Sequence, residues 1–158
     1  MSWRRYAKSG EDTRSAGAAF ASLLRPGDIV LLNGPLGAGK TTFTQGVGRG
    51  LGVRERVTSP TFTIVRQHEC VNELGIATLH HADVYRVGSL GEVDDLALGE
   101  LVEESAVAVI EWGEIASALF GLDVINVSFE IDESEGRTID VDGALADREV
   151  LLDEWAAS

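Results

Sequence analysis

Residues 31–46 read LLNGPLGAGKTTFTQG and contain the spacing Gly34-x-x-x-x-Gly39-Lys40-Thr41. Glycines at 34, 37 and 39 permit backbone torsions closed to other residues, so successive N–H groups can turn into one concavity. A helix starting near Lys40 adds the positive end of its dipole at the same point. Lys40 is long enough to reach the β- and γ-phosphate oxygens of a nucleotide, and the Thr41 hydroxyl can ligand Mg2+. The context agrees. DIVLLN (28–33) is a short, continuously apolar strand of the buried parallel type, and a helix over roughly 40–51 follows, ending near Gly50 and Gly52. The competing reading is a glycine-rich turn that merely carries Lys-Thr, and the flanking strand and helix weigh against it. Lys8 is the only other lysine; arginine could not easily take position 40, where a compact point charge is wanted. The stretch predicts nucleotide binding.

Outward from the loop, strands and helices alternate. EDTRSAGAAFASLLR (11–25) has helical spacing in Ala18, Phe20, Ala21 and Leu24, and Pro26-Gly27 stops it. TFTIVRQHEC (61–70) and IATLHHADVY (76–85) read as strands, with a hairpin turn at Glu73 to Gly75. An acidic helix or pair of helices is expected over 91–104, an apolar strand over 106–111 and a helix over about 113–120. Alternation over 123–131 and 137–142 predicts an antiparallel pair around Glu133-Ser134-Glu135-Gly136, before a C-terminal helix. The sum is one α/β domain over residues 1–158. It is expected to be a P-loop NTPase-like three-layer sandwich with a mixed, mainly parallel sheet and antiparallel edge strands.

Composition narrows the function. The chain of 158 residues carries net charge −13, and the charge is uneven. Residues 1–90 hold 11 of the 13 Lys/Arg and 7 of the 26 Asp/Glu. A face as acidic as the remainder repels a phosphate backbone, so tight autonomous binding of nucleic acid is not expected and a basic protein partner suits that half better. No apolar run approaches the roughly 20 residues that cross a bilayer. No apolar h-region follows the early arginines, so a secretory signal is not expected. The single cysteine, Cys70, excludes an internal disulfide and fits a reducing cytosol. A cytoplasmic protein without membrane or DNA partners is expected.

A hydrolase needs a carboxylate on the metal side and a group that orients the attacking water. Asp83 and Glu111 each sit at a strand end. In folds of this type the carboxyl edge of the sheet faces the phosphates. Asp83 is the better metal ligand and Glu111 the better group to polarise water, although the reverse assignment stays open, as does an ordinary strand-end acid facing solvent. Thr58-Ser59-Pro60-Thr61-Phe62-Thr63 could order over a γ-phosphate like a switch loop, or be a plain loop. His80 and His81 have no Cys or further His to build a transition-metal site. Trp112 could stack near a nucleotide or pack in the core, and Tyr85 and Arg86 could position Asp83 or contact a partner. After residue 90 only Arg137 and Arg148 are basic, which disfavours a small-molecule kinase. No Asn-Lys-x-Asp stretch reads guanine, so ATP is favoured over GTP. A nucleotide-sensing module with negligible hydrolysis remains the third alternative.

GPLGAGKTTF (34–43), SPTFT (59–63), HADVYR (81–86) and VIEWGE (109–114) occur in this order. Together they resemble the bacterial TsaE (YjeE) family over nearly the whole chain. The resemblance implies a single-domain, Mg2+-dependent P-loop ATPase that acts with the TsaD and TsaB proteins. ATP turnover would reset the complex that places threonylcarbamoyl on adenosine 37 of tRNA, with the transfer itself done by TsaD and tRNA met mainly through the complex. It further implies an ATP-binding set of Thr13, Gly34, Leu36, Gly37, Ala38, Gly39, Lys40, Thr41 and Thr42. Mg2+ would fall to Thr41, Asp83 and Glu111, and catalysis to Glu111, Lys40 and the switch-type Thr61. Relatives often carry an acidic residue where this chain has Pro35. Phosphate binding is expected to survive that change. Slow turnover is expected of the isolated protein, because no arginine finger can be assigned.

Overall fold

The computed structural model describes residues 1–58, 65–83, 105–111 and 124–158. Apolar strands set its centre. β1 (Trp3–Ala7), α1 (Gly10–Ala21), β2 (Ile29–Asn33) and α2 (Lys40–Gly50) come first. β3 (Val65–Glu69), β4 (Thr78–Asp83), β5 (Ala106–Glu111), β6 (Ile125–Ile131), β7 (Arg137–Gly143) and α3 (Glu149–Ala157) follow. The seven strands form one sheet in the order β1-β7-β6-β2-β5-β4-β3. β2 lies between β5 and β6, parallel to both, and β4 runs parallel to β5. The remaining pairs, β3–β4, β6–β7 and β1–β7, are antiparallel and occupy the edges. This is the α/β fold with a mixed sheet and antiparallel edges that the pattern of runs predicts. All six residues of β5 are buried, which is why AVAVIE reads as a continuous rather than an alternating run.

Two features differ from the sequence reading. The N-terminal residues form an edge strand, β1, whose Trp3 to Ala7 pair with Val141 to Arg137. α1 stops at Ala21 rather than near Arg25, since the next residues tighten into i→i+3 turns, with Leu23 N donating to Phe20 O and Leu24 N to Ala21 O. The start of α1 is sharp for a local reason: the Ser9 hydroxyl accepts from Asp12 N at 3.1 Å, while the Asp12 carboxylate accepts from Lys8 N at 3.0 Å. The β3–β4 hairpin closes on Asn72, whose side-chain oxygen accepts from Leu74 N and Ile76 N. The helices expected over 91–104 and 113–120 lie outside the described residues.

α1, α2 and α3 pack against the sheet through one apolar cluster that includes Phe20, Phe43, Phe129 and Trp155. The rings of Phe20 and Phe43, and of Phe43 and Phe129, sit with centroids 5.5 Å apart. Trp155 donates its indole N–H to Ala16 O at 2.9 Å, so α3 is fixed to α1. At the other end of α3, Arg148 grips Asp28 with two bonds of 2.7 and 2.9 Å, just ahead of β2.

Candidate functional site

Three parallel strands end on one edge, and the site is built there. The register pairs Leu32 with Glu111 and Glu111 with Asp83, so the carboxyl ends of β2, β5 and β4 stand side by side. The chain leaves β2 at Asn33, crosses the glycine loop and enters α2 at Lys40. Gly37 and Gly39 take φ of 79° and 100°, torsions that an L side chain rarely adopts. The spacing of the motif is therefore a backbone requirement as well as a chemical one.

A pocket of about 240 Å3 opens on this edge, lined by Leu36, Gly37, Gly39, Lys40, Thr41, Thr42, Asp83 and Glu111. A larger cleft of about 380 Å3 is lined by residues of α1, α2 and the segment after α2, among them Arg14, Arg49 and Arg56, and by none of the glycine loop. Chemistry rather than size marks the site, since the smaller pocket alone joins a lysine, a hydroxyl and two carboxylates beside the glycine loop. Within the pocket, Lys40 is buried and its Nζ donates to Gly34 O at 2.7 Å and Pro35 O at 3.0 Å. Burial lowers the Lys40 ammonium below the usual lysine value, while the charges of Glu111 and Asp83 pull it back up. The Thr41 hydroxyl lies 3.0 Å from both carboxylate oxygens of Glu111. Glu111 Oε2 also meets His81 Nε2 in a short contact, and His81 is fully buried.

Of the residues singled out in the sequence, those in the glycine loop, Thr13, Asp83 and Glu111 stand together here. Gly34 and Ala38 complete the loop, and Ala38 is buried. Thr13, also buried, reaches the loop from α1: a Cβ at Gly39 would stand 3.4 Å from its methyl group. Thr61, Tyr85, Arg86 and Trp112 lie outside the described residues. Two participants escaped sequence reasoning. His81 belongs to the Glu111 cluster although no metal-type spacing flags it. Arg137 reaches the glycine loop from the start of β7, donating from Nε to Ala38 O and from Nη2 to Gly37 O, each at 3.1 Å. Pro35 is tolerated because the loop uses its carbonyl, which accepts from Ala38 N and from Lys40 Nζ.

Fold and site together define a class: a mixed-sheet α/β protein organised around a glycine-rich strand–loop–helix turn, with lysine, hydroxyl and carboxylates gathered at the carboxyl edge of the sheet. Residues 7–139 match the family model described as Threonylcarbamoyl adenosine biosynthesis protein TsaE. The chain belongs to the TsaE family. It is 45% identical over 128 residues to the tRNA threonylcarbamoyladenosine biosynthesis protein TsaE of Streptomyces coelicolor, covering 80% of this chain and 83% of that one. The protein of the same description from Treponema pallidum is 38% identical over 134 residues, covering 85% and 96%. The crystal structure of Bacillus subtilis YdiB superposes with a TM-score of 0.74 at 28% identity, covering 99% of this chain and 95% of that one.

Proposed function

We propose that this chain is a Mg2+-dependent ATPase that serves the synthesis of threonylcarbamoyladenosine in tRNA, acting as a single cytoplasmic domain on a TsaD–TsaB complex that performs the transfer. The observation that carries this reading is the meeting of Lys40, Thr41, Asp83 and Glu111 in one pocket beside the glycine loop. The residues suit the ligands. A buried ammonium and a glycine loop that opens a helix match nucleotide phosphates, and a hydroxyl with two carboxylates matches a hard divalent cation. When bound, Mg2+ would neutralise charge on the phosphate oxygens. Thr41, Glu111 and Asp83 would hold it, and Lys40 would exchange its bonds to Gly34 O and Pro35 O for phosphate oxygens. Glu111 is held by Thr41 and His81 in a fixed orientation, as a group that orients water must be.

A kinase of small molecules fits less well. Arg148 is spent on Asp28 and Leu23 O, and Arg137 on backbone carbonyls, so neither is left to grip an acceptor. Among the described residues no helix is long and apolar enough to cross a membrane. The test is genetic. A strain lacking this gene should lose threonylcarbamoyladenosine from its tRNA; the wild-type chain should restore it and Lys40→Ala should not. Normal modification in the deletion strain would overturn the proposal.

A further inference from the structure

The carbonyls of the glycine loop are held from outside by a side chain that no role above requires. Arg137 donates from Nε to Ala38 O and from Nη2 to Gly37 O, each at 3.1 Å, across about a hundred residues of chain. Its Nη1 bonds Glu135 O and, at 3.4 Å, Gly136 O. The planar fork of a guanidinium can serve two adjacent carbonyls at once, which an ammonium cannot. The hairpin that carries Arg137 is itself braced, because Asp132 Oδ1 accepts from Ser134 N at 2.9 Å and Gly136 N at 2.8 Å. Across a trans peptide the N–H points opposite to the C=O. Fastening Gly37 O therefore aims Ala38 N–H to the other side, and fastening Ala38 O does the same for Gly39 N–H. Ala38 N–H lies on the Lys40 side, where it donates at 3.1 Å to Pro35 O, the carbonyl that also accepts from Lys40 and that both groups would leave for phosphate.

We propose that Arg137 is a positioning residue for the nucleotide: its guanidinium pins the outer carbonyls of residues 37 and 38 to the β6–β7 hairpin and so presets the loop's N–H groups for phosphate. The inference rests on the nucleotide-binding reading above. Preorganising a loop lowers the ordering cost charged against binding. Loss of the fork should thus weaken ATP, and the loss should appear in Kd and KM more than in kcat.

The experiment is calorimetric titration of Mg-ATP into wild type, Arg137→Ala and Arg137→Lys, with thermal unfolding of each ligand-free protein recorded alongside. Arg137→Ala should bind about tenfold more weakly, because the loop must then be ordered at the expense of binding. Arg137→Lys, which can keep one of the two bonds, should fall between. Unchanged affinity in both variants, whatever their unfolding temperatures, would overturn the inference and leave Arg137 a purely structural tie. Should Arg137→Ala fail to fold, Arg137→Lys decides by the same criterion. If wild type itself bound no nucleotide, the proposed function would fail, and this inference with it; wild-type binding with unaltered variants would sink the inference alone.

Discussion

Glu111 is 3% exposed, and a carboxylate so buried is costly unless donors surround it. The Thr41 hydroxyl donates to it, and the His81 imidazole packs its Nε2 against it. The motif Gly-Lys-Thr made Thr41 legible, and the strand ends made Glu111 and Asp83 legible. His81 was not, because its role depends on register: it shares a face of β4 with Asp83, two residues on, and β4 must lie beside β5 before it can touch Glu111. Arg137 was hidden for the same reason, since nothing local links the start of β7 to the loop. Cys70 follows from its surroundings. Half-buried beyond β3, its thiol is raised from 9.0 to about 11 by desolvation. Thiolate is the reactive form, so iodoacetamide should label Cys70 slowly at pH 8 in the folded protein and much faster once it is unfolded. The raised value also fixes a sign. This group's contribution to stability is intact below pH 9 and is lost as pH rises through about 11. Equal labelling rates in folded and unfolded protein would contradict the burial.

At the scale of elements, the site depends on how closely α1 and α2 approach, because α2 carries Lys40 and Thr41 while α1 carries Thr13. A Cβ on Gly46 would stand 2.0 Å from Arg14 O, and the obstacle is backbone that cannot rotate aside. Alanine gains about 1 kcal/mol of helix propensity over glycine, but overpacking costs typically 1–3 kcal/mol and a clash with backbone lies at the upper end. Gly46→Ala should therefore destabilise, by about 1–2 kcal/mol net. Gly10→Ala is the contrasting case. Only the mobile end of Arg14 lies near, at 3.9 Å, so this change should stabilise by about 0.4–1 kcal/mol. Chemical denaturation of the two variants checks both signs, and a stabilising Gly46→Ala would refute the close approach. The elements themselves were mostly legible, since β2 and β5 announce themselves as apolar runs and β4 follows a turn signal at Glu73 to Gly75. β1 did not. WRRYA buries only Trp3 and Ala7, its two arginines read as a charged terminus, and its partner β7 lies over a hundred residues away. The cap that begins α1, Ser9 on Asp12 N, lies just ahead of the run read as helical, and the helix ends at Ala21 in i→i+3 turns ahead of Pro26.

For the molecule as a whole, the sheet sorts its chemistry to one edge and its charge to the sequence after residue 90. A net charge of −13 repels an anionic ligand at long range, so on the proposed reading a triphosphate would have to be held by the local donors of the loop, by Lys40 and by a cation. Arg137 and Arg148 are engaged with the fold itself, and the proposed turnover would draw on another arginine or on a group supplied in trans. Such a group can contribute 10³–10⁵-fold. The most direct measurement is phosphate release from Mg-ATP by the chain alone and with TsaD and TsaB, each with wild type and Glu111→Ala. The account predicts slow release alone, a rise with the partners, and loss of that rise in Glu111→Ala. Release that neither the partners nor the substitution changed would contradict it, leaving a nucleotide-binding protein without a catalytic role for Glu111.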